Sequence, residues 1–66
     1  MMFTDNELLE LLEIIDNYDG HIFQGVSITD SGMRIDFKSI LIKIKHLGRD
    51  NLQIKARANE LLEGMN

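Results

Sequence analysis

The sequence predicts a small α+β domain whose elements run helix, β-hairpin, helix, helix, and three observations carry that expectation. A helix-capping signature followed by a run of helical period opens the chain. Alternation of period 2 flanks a turn cluster in its middle, and two more helical stripes follow. The alternative is an all-α bundle of three helices in which the hairpin region is partly helical. The expected unit is a single small domain spanning residues 1–66.

The first helix is announced by Thr4-Asp5-Asn6-Glu7. Thr4 at the N-cap and Glu7 three residues on form a capping box, and Phe3 and Leu8 stand at the positions of a hydrophobic staple. Asp5 and Glu7 suit the positive end of the helix dipole. The helix is expected to run to about Tyr18 and stop before Asp19-Gly20. Leu8, Leu11, Leu12, Ile15 and Tyr18 make one stripe, with Asn6, Glu10, Glu13 and Asn17 opposite. Leu9 and Ile14 widen the apolar arc on its two sides, which suggests contacts both inside and outside the subunit.

Residues 21–37 read as a β-hairpin. Val26 and Ile28 alternate with Ser27 and Thr29, and Met33, Ile35 and Phe37 alternate with Arg34 and Asp36. Pairing Ile28 with Met33 and Val26 with Ile35 sets both apolar pairs on one face. That register requires a two- or four-residue loop, whereas a three-residue Asp30-Ser31-Gly32 loop would set Ile28 opposite Arg34. A lone two-stranded hairpin is marginal in water, so helices should cover one face and a second copy at an edge would help.

The second helix should start at an Asp36 N-cap. Its stripe is Phe37, Ile40, Leu41, Ile44 and Leu47, and Gly48 suits a left-handed stop. Lys43, Lys45 and His46 favour its C-terminal end. Ile42 lies off the stripe, although the alternation Ile40, Ile42, Ile44 also fits a third strand. The third helix should start near Asp50 and run to about Glu63, with Ile54, Ala58, Leu61, Leu62 and Met65 as its stripe. Lys55, Arg57 and Glu60 point elsewhere.

Charge is sorted along the chain. Residues 1–30 hold seven acids and no Lys or Arg, residues 31–58 hold all seven bases against Asp36 and Asp50, and Glu60 and Glu63 follow, for −4 overall. A dipolar chain of this kind attracts itself, its neighbours or a charged partner. With 66 residues and no Cys, disulfides and thiolate metal sites are excluded, so stability must come from packing or self-association. Apolar residues at 44% and charged residues at 27% give the composition of a folded protein. No apolar run reaches the roughly 20 residues that span a bilayer. The acidic start is unlike a secretory or mitochondrial leader, so a cytoplasmic location, bacterial or host, is expected.

No motif carries chemistry. Asn17-Tyr18-Asp19-Gly20-His21-Ile22 resembles the middle of a calcium loop, but Ile15 and Val26 stand where the first ligand and the bidentate Glu belong. His21 and His46 are the only imidazoles and sit in no ligand-spaced motif. Ser27, Ser31 and Ser39 lie in no nucleophile elbow, and no Gly-rich phosphate loop is present. The expectation is therefore no enzyme, no catalytic residue, no metal and no cofactor.

What remains is binding. The expected function is a small non-enzymatic interaction protein, a self-associating accessory regulator or inhibitor of the kind mobile elements and phages carry. Its partners are a second copy of itself and another protein, with no membrane. Leu9, Ile14, Phe23 and Ile42 are the candidate protein interface, being apolar residues left over once each stripe is assigned. Glu10, Glu13 and Asp16 are the candidate charged partner face. The second choice is a DNA-binding regulator using residues 37–63 as a helix-turn-helix, with Gly48 as turn glycine. There Lys43, Lys45, Arg49, Gln53 and Arg57, with Asn51, would face nucleic acid. The negative net charge and the lack of interleaved aromatics count against it.

Overall fold

A computed structural model describes residues 2–65. Three helices and one antiparallel hairpin follow in the order α1 (Asp5–Asp16), β1 (Val26–Ile28), β2 (Arg34–Asp36), α2 (Phe37–Leu47) and α3 (Leu52–Glu63). The α+β expectation holds. The all-α alternative fails at β1 and β2, and the third-strand alternative fails because Ile40, Ile42 and Ile44 lie within α2.

The caps decide where the helices start. Thr4 Oγ1 accepts from the Glu7 amide at 3.1 Å and Glu7 Oε1 accepts from the Thr4 amide at 2.8 Å, closing the capping box. Asp36 Oδ1 accepts from the Ser39 amide at 3.0 Å and starts α2. α3 starts later than its sequence suggested, because Asn51 rather than Asp50 is the cap. Asn51 Oδ1 accepts from the amides of Gln53 and Ile54. α1 ends at Asp16, a turn-half short of Tyr18, where Asn17 folds its side-chain amide onto the Glu13 carbonyl at 2.9 Å.

Each helix gives one face to a shared core. Leu8, Leu12 and Ile15 of α1, Phe37, Leu41 and Ile44 of α2, and Ile54 and Ala58 of α3 form a single buried cluster. Leu9, Leu11, Leu61, Leu62 and Met65 pack around its margin. Ile40 and Leu47 depart from the expected α2 stripe and are exposed. α3 closes over the neighbouring Gly48 instead, where a Cβ would sit 2.4 Å from Ile54 Cγ2. Gly48 has φ −96°, so no left-handed stop exists at this position and the glycine is required by the close approach of Ile54.

The hairpin takes the register that the apolar pattern argued against. Val26 pairs with Asp36, Ser27 with Ile35 and Ile28 with Arg34. The loop has three residues. The Gly32 amide donates to the Thr29 carbonyl at 2.9 Å, the Thr29 amide donates to the Met33 carbonyl at 2.8 Å, and Gly32 takes φ +86°. Thr29 Oγ1 secures the loop by accepting from the Met33 amide and bonding to Ser31 Oγ. Turn chemistry thus overrides the alternation, and Ser27 and Ile35, rather than Val26 and Ile28, turn inward. Ser27 is only 2% exposed, and its hydroxyl is satisfied by Tyr18 Oη at 2.7 Å. Tyr18 in turn stacks obliquely on Phe37, ring centroids 4.7 Å apart. A second tight turn, Phe23-Gln24-Gly25-Val26, precedes β1, with both central residues at positive φ.

Candidate interaction surface

α2 turns its core stripe inward and leaves Ile42, Lys45 and His46 on the other side, at the i, i+3, i+4 spacing of one helical face, with Arg49 in the turn just after the Gly48 cap. Lys43 and Leu47 flank them and Lys55 reaches in from α3. Together these seven side chains line a groove of about 570 Å³. Its floor is apolar, since Ile42 is 54% and Leu47 56% exposed, and its rim is basic with no acid among the lining residues. Leu52, one turn before Lys55 on α3, adds a further exposed apolar side chain.

The bases of this groove differ from Arg57. Among the described residues Arg57 is the one base in an ion pair. Its guanidinium reaches Glu60 at 2.5 Å, Asp16 at 2.6 Å and Glu13 at 3.8 Å, tying α3 to α1. The hydrogen bond to Glu60, with the nearby charge of Asp16, holds Arg57 above its ordinary pKa against a smaller opposing effect of desolvation. Asn51 is also committed, because its Nδ2 donates to Asp5 at 3.0 Å while its Oδ1 caps α3.

The residues singled out in the sequence therefore divide. Of the nucleic-acid candidates, Lys43, Lys45 and Arg49 share the groove, whereas Gln53 and Arg57 line a separate hollow with Leu9, Glu13 and Glu60. Of the interface candidates, Ile42 lies in the groove, Leu9 is half-buried against the core, and Phe23 lies on the hairpin side, 67% exposed. Ile14 is 65% exposed on α1. Among the described residues the four lie apart, Ile42 in the groove, Leu9 in the hollow beside Arg57 and Phe23 beside the hairpin. Of the acidic candidates, Glu13 and Asp16 serve Arg57, while Glu10 joins Phe3, Asn6, Glu7 and Leu11 around an apolar hollow of about 300 Å³.

Sequence reasoning missed Leu47, His46 and Lys55 as lining residues. Leu47 was hidden by its place on the helical stripe, and Lys55 by lying on a different element. Another large hollow, about 610 Å³, lies between the end of α1, the following loop and α3. Its Asp16 and Glu60 carboxylates are both bonded to Arg57, and its Tyr18 hydroxyl is bonded to Ser27. Among the described residues no group of three or more His, Cys, Asp or Glu side chains is arranged to hold a metal ion, and no helix is long and apolar enough to cross a membrane. Comparison with protein-family models, with curated proteins and with solved structures yields no match.

Proposed function

We propose that this chain is a non-enzymatic protein-interaction module of the cytoplasm, a self-associating accessory regulator or inhibitor that binds another macromolecule through the groove between α2 and α3. The supporting observation is the groove itself, an apolar floor of Ile42 and Leu47 ringed by Lys43, Lys45, Arg49 and Lys55 with no carboxylate among its lining. Burying one such aliphatic side chain is worth roughly 1.5–3 kcal/mol, and a basic rim favours an acidic partner and excludes basic ones. The matching ligand is an acidic protein segment carrying apolar anchors. Nucleic acid suits this surface less well, because phosphates leave Ile42 and Leu47 uncovered and because Arg57 is spent within the chain.

Salt dependence separates the two ligands. Fluorescence anisotropy would be measured with a synthetic amphipathic helix of Glu, Ala and Leu and with a short DNA duplex. Four groove cations on phosphates would release enough counterions to weaken duplex binding about a hundredfold between about 50 and 200 mM salt. The peptide should bind more tightly than the duplex and lose less than about tenfold over the same range, since its anchors are apolar. Tight duplex binding with the steep slope, and no peptide binding, would reverse the assignment.

A further inference from the structure

We propose that the occupant of the basic groove is helix α1 of a second copy of this chain. This rests on the reading of the groove as an interaction surface, and names what fills it. The chain carries two apolar hollows of opposite rim charge. One is the groove of Ile42 and Leu47 with its four Lys and Arg side chains, and the other is the hollow of Phe3 and Leu11 with Glu7 and Glu10.

Their spacings match. Glu7, Glu10, Leu11 and Ile14 fall at i, i+3, i+4 and i+7 along α1, with Leu11 at the margin of the core, and Ile42, Lys45 and His46 repeat the first three of those positions on α2, with Arg49 in the turn just beyond it. Two helices of similar length, 12 and 11 residues, can lie along one another over about 16 Å. Docked this way, Ile14 and Leu11 meet Ile42 and Leu47 while Glu7 and Glu10 meet the bases.

Within one chain, among the described residues, the acids of α1 and the bases of the groove do not pair with one another, and Glu7 already accepts from the Thr4 amide. Glu10 and all four groove bases make no ion pair among the described residues, whereas Glu13 and Asp16 are already held by Arg57. Because every copy carries both surfaces, two copies can dock reciprocally, α1 of each in the groove of the other, which closes the assembly around a two-fold axis. A standard interface takes about 800 Å² from each partner, about one-sixth of the 5033 Å² that this chain exposes.

The test is a charge swap read by light scattering over a concentration series. One variant reverses the groove, Lys43→Glu with Lys45→Glu. The other reverses the α1 hollow, Asn6→Lys with Glu10→Lys, and spares the capping residue Glu7. Each variant alone should self-associate at least about tenfold more weakly than the wild type, and an equimolar mixture of the two should regain the wild-type mass. Ile28→Lys, on the outer face of the hairpin, should leave assembly unchanged. Circular dichroism of each variant confirms that the helices are intact.

A mixture that stays dissociated, or an assembly dissolved by Ile28→Lys and untouched by the charge reversals, overturns the inference. So does a wild type that is monomeric throughout. If that monomer still binds the Glu/Ala/Leu peptide, the second copy is the wrong occupant and the groove remains an interaction surface. If it binds neither, both readings fall.

Discussion

Ser27 has a buried hydroxyl with one partner, and that pair shows how much one polar contact governs here. Tyr18 Oη and Ser27 Oγ lie 2.7 Å apart at the join between α1, the hairpin and Phe37. Tyr18→Phe strands the Ser27 hydroxyl and should cost about 1–3 kcal/mol in urea unfolding. Adding Ser27→Ala to that background should return much of the loss, because an apolar pair of the same shape needs no hydrogen bond. An additive double mutant would mean that the two hydroxyls are solvated independently. Gly48 makes a second residue-scale case. Since Ile54 is fully buried and its Cγ2 lies where a Cβ would go, Gly48→Ala should destabilise by about 1–3 kcal/mol. Gly48→Asn discriminates the cause. A left-handed stop would favour Asn over Ala, whereas steric conflict with Ile54 makes Asn at least as damaging.

At the scale of elements, caps and turns set the boundaries that periodicity left loose. Asn51 serves α3 with its oxygen and α1 with its amide, through Asp5. Asn51→Ala should therefore cost about 1–2 kcal/mol, more than an ordinary cap, while Asn51→Asp keeps the cap and loses the link to Asp5. Thermal unfolding of the two variants measures the difference. The turn before β1 places Gln24 at φ +53°, a left-handed conformation that favours Asn or Gly. Gln24→Asn should stabilise the protein by up to about 1 kcal/mol, measured as a raised urea midpoint; a lowered midpoint would mean that the Gln24 side chain contributes a contact that outweighs the backbone cost. The helix faces were legible because a 3.6-residue period repeats over several turns. The hairpin register was not, because strands of three residues hold too few apolar positions to outvote the loop.

For the whole molecule, stability rests on a buried apolar core that numbers eight side chains among the described residues, drawn from three helices. A core of this size in a chain under about 70 residues rarely supplies more than about 3–5 kcal/mol. Leu41→Ala, at a fully buried position, should remove about 2–5 kcal/mol and leave much of the population unfolded at 25 °C by circular dichroism. Ile42→Glu, one residue along and exposed, should keep the helix content and weaken assembly. A variant that assembles as tightly as the wild type would remove Ile42 from the interface. The contrast between these neighbours separates folding from binding on one helix.

By itself the sequence determined the order of elements, the caps at Thr4 and Asp36, the centre of each helix's inward stripe and the segregation of charge. These are local properties, written in spacings of three and four residues and in side chains that bond their own backbone. Tertiary structure alone decided which charges neutralise one another and which stay free. Arg57 meets Asp16 across 41 positions, and Lys55 joins Lys43, Lys45 and Arg49 from another helix. It also turned Ser27 inward and Leu47 outward, against their chemical type. Such outcomes depend on where separate elements meet, and a hydroxyl enters a core, or a leucine leaves it, according to the neighbour that the fold supplies.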